Sequence, residues 1–214
     1  MKMKQWVARC TAAFVLIAAG ALAHAADFQE GKDYRRLDKP QPVETGKKIE
    51  VIEFFSFSCP HCKDMEPILE QWVKKLPADA QLRRIPAVFS PQWVGTAKVW
   101  YTLEALNEER LVPAVFNAIH GQNVRLDQDK AFFDWAAKQG LDRKKVEDMY
   151  NSFAINGKIN RAKQQAQQYG VQSVPLIIVD GKYMTEVSMV GTHQQMPAAI
   201  NALIAKARAE RPKA

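Results

Sequence analysis

The segment EFFSFSCPHCKDMEP, Glu53 to Pro67, decides how the chain reads. It joins an apolar run to two cysteines two residues apart, with a carboxylate inside the run and a histidine between the sulfurs. Upstream, Lys48 to Ser56 contains IEVIEFF, nearly continuous in apolar and β-branched residues, the pattern of a strand covered on both faces in mid-sheet. Downstream, Met65, Ile68, Leu69, Trp72, Val73 and Leu76 recur at helical spacing as far as Pro77. Pro60 suits the first turn of that helix, where its missing N–H costs nothing. Pro67, inside the helix, is expected to kink it. The pattern places Cys59 where a central strand turns into a helix, with Cys62 one turn further in.

Working outward, Gln81 to Phe89 reads as a second strand and Asn151 to Gln168 as a helix closed by Gly170. Pro175 opens PLIIVDGKYM, two strands joined at Asp180-Gly181, a strong two-residue hairpin signal. Thr192 with Gln195 resembles a capping box ahead of a last helix bearing Ile200, Leu203 and Ile204. From about Gln92 to Phe153 the period is helical throughout. Val146, Met149, Tyr150 and Phe153 mark one face there, Phe132, Phe133 and Ala136 another, with Gly140 as a cap between them. The fold class is α/β: a β-α-β…β-β-α frame interrupted by an all-helical block.

The 214 residues suffice for one domain with a large insertion. Residues 1–25 read as a secretory signal. Lys2, Lys4 and Arg9 give a positive start, Thr11 to Ala23 is apolar but too short to span a bilayer, and Ala23-His24-Ala25 is a small-x-small cleavage site. Cleavage near Ala25 would release an exported, soluble protein, periplasmic in a double-membrane cell. It removes those three cations and no acids, so the formal charge falls from +7 to +4. No clustered Lys/Arg stripe points to nucleic acid.

Cys10 leaves with the signal, and the mature chain keeps one pair, Cys59 and Cys62. In an oxidising compartment these are expected to form a disulfide. Closing so short a loop contributes only about 2 kcal/mol, so the pair reads as chemical rather than structural. Zinc would need about four ligands, and only His120 and His193 remain besides His61 in the mature chain. Attached haem needs histidine after the second cysteine, and that residue is Lys63. No metal or cofactor is expected.

The frame, the Cys-x-x-Cys at a strand-to-helix turn and the proline five residues after the second cysteine resemble thioredoxin. The helical insertion and EFFSFSCPHC together resemble the DsbA family of periplasmic thiol oxidases. The likeness runs from GKDYRRLDKP through VPLIIVDGKY and implies a thioredoxin-like fold in two parts, 26–91 and 161–214, flanking a helical insertion, 92–160. It implies a protein dithiol oxidase that passes the Cys59–Cys62 disulfide to folding secreted polypeptides through a mixed disulfide at Cys59. A DsbB-like membrane quinone reductase would reoxidise it, and a monomer is expected.

In that reading the helix N-terminus behind Pro60 stabilises the Cys59 thiolate, and His61 adds donors and charge. Glu53 is either a proton carrier for Cys62 or the partner of Arg84; the two roles are compatible, and an unpaired carboxylate there would be costly. Val174 and Pro175 would present backbone to a bound peptide, with Pro175 cis. Phe57, Met65 and Leu69 either border an apolar groove or pack in the core. A reductase or isomerase, or a peptide-binding holdase with an incidental disulfide, are the alternatives.

Overall fold

The computed structural model describes residues 28–211, so the expected signal peptide and Cys10 lie outside the described residues. A five-stranded mixed sheet forms the frame, in the order β1 (Arg35–Arg36), β5 (Tyr183–Glu186), β4 (Leu176–Val179), β2 (Ile49–Phe55), β3 (Ala80–Pro86). β2 runs parallel to β3 and antiparallel to β4, and all seven of its residues are buried. The nearly unbroken apolar run arises because both faces of this strand are covered.

On one face lie α1 (Pro60–Val73) and α8 (Met196–Glu210), whose Met65, Leu69, Trp72, Ile200 and Leu203 pack with Ile49 and Val51. Against the other lie the helices α2 (Trp93–Ala105), α3 (Val112–His120), α4 (Asp129–Lys138), α5 (Arg143–Tyr150) and α6 (Phe153–Gln168), the last running unbroken through the expected boundary at 160/161, all joined to Ile52 and Phe54 in a second core. The short α7 (Val187–Val190) leads towards α8.

Aromatic rings tie the insertion to the frame: Phe57 meets Phe116 at 5.0 Å between centroids, and Phe55 meets Trp100 at 5.3 Å, both edge-to-face. Asp180 and Gly181 both have positive φ, 55° and 62°, as a two-residue hairpin turn demands.

Three local expectations are corrected. α1 ends at Val73 rather than reaching Pro77; Lys75 and Leu76 close the end with turn-type bonds to Trp72 and Val73. Pro67 lies inside this helix, as expected. The Thr192–Gln195 box does not form: Thr192 makes no side-chain bond to a backbone N–H, His193–Gln195 is a 3₁₀ turn, and α8 starts at Met196 with Pro197 in its first turn. Phe153, expected on the buried face of Val146 and Tyr150, is 91% exposed. The chain turns at Asn151–Ser152, where the Ser152 hydroxyl caps a new helix, and that rotates Phe153 out of register.

Candidate active site

Cys59 is the N-cap of α1, in extended conformation, with Pro60 as the first helical residue. An N-cap side chain accepts from the amides two and three positions on. Here those belong to His61 and Cys62; the Cys59 side chain makes no capping hydrogen bond, but both N–H groups favour its charged form. Ser56 shapes the approach: its hydroxyl accepts from Ser58 N at 3.1 Å and its carbonyl from Cys59 N at 3.1 Å. His120, at the end of α3, fixes the same turn from the insertion side. Its Nε2 lies 2.8 Å from Phe57 O, and because a carbonyl only accepts, Nε2 carries the proton.

Both cysteines are thiols in this structure, Cys59 half-exposed and Cys62 1% exposed. A hydrogen bond from the Cys62 thiol, backbone N–H groups of Cys62 and His61, and the His61 charge hold the Cys59 thiol down at about 6, against the opposing effect of partial burial. Burial pushes Cys62 far above the ordinary thiol range, helped by its bond to Cys59 and by the charge of Glu53. The Cys59 thiol also donates to Val174 O at 3.4 Å, and the Val174–Pro175 peptide is cis. His61 is exposed on the first turn, its ring stacked near that of His193 at 6.1 Å.

Glu53 faces the α1 side of the sheet, as the two-residue period from Val51 requires. It sits opposite Arg84 on β3, and its Oε2 lies 2.9 Å from Arg84 Nε. Arg84 also grips Glu66 of α1, at 2.8 Å and 3.2 Å. The result is a buried trio of two carboxylates and one guanidinium beneath Cys62. Burial raises Glu53 to about 7, Arg84 working against the rise and Glu66 with it. Burial likewise raises Glu66.

The structure thus brings Cys59, Pro60, His61 and Val174 together at the surface, with Cys62 and Pro175 buried directly behind them and Glu53 below. Phe57, Met65 and Leu69 are fully buried core residues rather than groove-lining ones. Sequence reading missed Glu66, although it falls four residues after Cys62 on the same helix face. It also missed that β2 buries a second acid, Glu50, paired with Arg83 at 2.9 Å.

The sequence pattern of the DSBA-like thioredoxin domain matches residues 50–198. Two curated relatives carry the name "Thiol:disulfide interchange protein DsbA". The Bordetella parapertussis protein is 38% identical, covering 86% of this chain and 88% of its own. The Pseudomonas aeruginosa protein is 39% identical over 91% and 92%. The crystal structure of Pseudomonas aeruginosa DsbA superposes with a TM-score of 0.82 at 38% identity, covering 86% of this chain and 96% of that one. The Neisseria meningitidis oxidoreductase NmDsbA1 superposes at 0.77 with 27% identity over 86% and 96%. The chain belongs to the DSBA-like thioredoxin domain family.

Proposed function

We propose that this protein oxidises dithiols in exported polypeptides by handing over a Cys59–Cys62 disulfide. Thiol:disulfide interchange is its reaction class, and it is a protein disulfide oxidase. The observation that carries the residue assignment is the placement of one sulfur: Cys59, half-exposed at a helix N-terminus and lowered to about 6, suits a good leaving thiolate.

In the forward direction a substrate thiolate attacks Cys59 Sγ of the disulfide. The Cys59–Cys62 bond breaks, and Cys62 leaves with the electron pair. Buried Cys62 strongly favours its protonated form, and Glu53, near neutrality in its acidity, is the adjacent group that can deliver the proton. A second substrate thiolate then attacks the substrate sulfur of the mixed disulfide and expels Cys59 as thiolate. The substrate has lost two electrons and the protein has gained them. Val174 O, already within reach of Cys59 Sγ, is placed to take a backbone N–H of the attacking chain in β-augmentation style.

Residues 1–25 export the chain to the periplasm, where a membrane quinone reductase of the DsbB kind reoxidises the monomeric protein. Among the described residues no helix is long and apolar enough to cross a membrane.

Each unit of thiolate pKa below ambient pH adds about 30 mV of oxidising power, less at a half-exposed sulfur screened by solvent. Equilibration with glutathione buffers tests the proposal. A potential well above thioredoxin's, about −270 mV, is expected. A value at or below that figure would assign a reductase instead. Retention of all activity after both cysteines are replaced would assign a holdase.

A further inference from the structure

Residues 56–59 make the turn between β2 and α1, and most of its polar groups are served from within. Ser56 takes the amides of Ser58 and Cys59, and the Cys59 carbonyl accepts from Lys63 N at 3.1 Å. The Phe57 carbonyl is the exception. Phe57 is 1% exposed, so this oxygen cannot be left to water, and a buried carbonyl without a donor is costly. Its donor lies 63 positions further along the chain: His120 Nε2, at 2.8 Å.

The imidazole is held for this task. His120 is the last residue of α3, and the chain closes that helix immediately behind it, Gly121 N and Gln122 N both donating to Asn117 O. A Cβ at Gly121 would lie 2.5 Å from Asn117 Oδ1 and 2.9 Å from Asn117 O, so the tight closure needs glycine there. One turn back, Phe116 stacks on the ring at 6.2 Å between centroids and meets Phe57 edge-on at 5.0 Å. Donor and acceptor are braced by the same aromatic side chain.

The other donor within reach of Phe57 O along the chain shows why this bond matters. In helical register the oxygen would accept from the amide four residues on, which is His61 N–H; Pro60, three residues on, has none to offer. His61 N–H is also one of the amides that favour a charged Cys59 sulfur. A carbonyl released by the imidazole would extend α1 backwards by taking that amide, and the sulfur would lose a donor. We propose that His120 is a positioning residue for disulfide exchange: by engaging the Phe57 carbonyl it reserves the His61 amide for Cys59. The insertion thereby takes part in setting how well Cys59 leaves. The proposal deepens the dithiol-oxidase reading and rests on it for its consequence.

Two variants remove the donor, His120→Phe with the ring's bulk retained and His120→Ala without it, and His120→Gln keeps a donor at the same position. Each disulfide is equilibrated with glutathione, and the Cys59 thiolate titration of the reduced form is followed by ultraviolet absorbance. Loss of the donor is expected to raise that titration by about one unit and to lower the equilibrium constant for oxidising glutathione about tenfold, which is about 30 mV. His120→Gln should stay within about twofold of the wild-type constant. A merely structural role would weaken both redox forms equally and leave the constant where it was. An unchanged constant overturns the proposal, and either donor-free variant that folds suffices to show it. Equal losses in His120→Gln and His120→Ala overturn it as well, by placing the role elsewhere in the imidazole. Failure of the underlying oxidase reading is separate: it shows in the wild-type potential, whereas this proposal is judged on the differences between variants.

Discussion

The two sulfurs of the active site stand one helical turn apart in the same N-terminal field, yet their acidities move in opposite directions. Cys59, half-exposed and ringed by donors, is lowered to about 6; Cys62, walled off from water and facing Glu53, is raised well beyond the ordinary range. The helix cannot account for the split, because both residues sit in its first turn. Solvent access and the neighbouring charges decide it: above lie His61 and amide protons, below lie Glu53, Arg84 and Glu66. Burial outweighs the helix field for the inner sulfur, and donor count outweighs partial burial for the outer one.

The comparison breaks most sharply at the sulfurs themselves. Cys59→Ser is expected to abolish dithiol oxidation. Cys62→Ser should leave Cys59 able to join a thiol and unable to release it, so that mixed disulfides accumulate on non-reducing gels. If the two variants behave alike, the assignment of outer and inner roles fails.

Removing the cation below should cost stability. Arg84→Met strands two carboxylates in the core, and a loss of about 3–5 kcal/mol at pH 8 is expected from urea denaturation. Adding Glu53→Gln and Glu66→Gln to it should recover a good part of the loss.

The two regions also oppose each other in pH dependence. Glu53 titrates near 7 in the folded protein against 4.5 as the ordinary value, so the native state holds the extra proton between those limits. Its contribution is fully present below about pH 4.5 and declines as pH rises towards 7, by about 3 kcal/mol in all. Cys59 acts in reverse. Its lowered pKa gives the dithiol form stability that grows as pH rises from about 6 towards 9, a gain the disulfide form lacks. Denaturation of both redox forms from pH 4.5 to 8 should show a shared decline that Glu53→Gln removes. The gap between the forms should widen above pH 6, and a constant gap would contradict the lowered Cys59.

The smallest expected change is at His61. His61→Ala should raise the Cys59 thiolate titration, followed by ultraviolet absorbance, by up to about one unit. The accompanying loss is at most about 30 mV of oxidising potential.

Features set by near neighbours in sequence were legible in it. The cysteine turn depends on a strand, a proline and a helix in a row, and the Asp180-Gly181 hairpin needs only its two turn residues. The Glu53–Arg84 pairing could be anticipated because β2 and β3 are adjacent strands of one crossover. Helix ends were less legible, since the apolar series through Leu76 continues past the last hydrogen-bonded turn of α1. Phe153 kept the helical period across a break that only the Ser152 cap reveals. Glu66 was hidden by the proline beside it. The His120–Phe57 bond was beyond reach because its partners lie 63 positions apart, brought together by the packing of Phe116 on Phe57.

The position of β4 in the chain carries one more consequence. β3 and α1 follow β2 directly, whereas β4, its other partner, comes only after the entire insertion. A growing chain therefore exposes its reactive sulfurs long before Val174 returns to lie beside them. The Cys59–Cys62 turn and the Val174 carbonyl beside it belong to opposite halves of the polypeptide, so under the proposed function a half-made chain lacks the complete site until β4 joins the sheet.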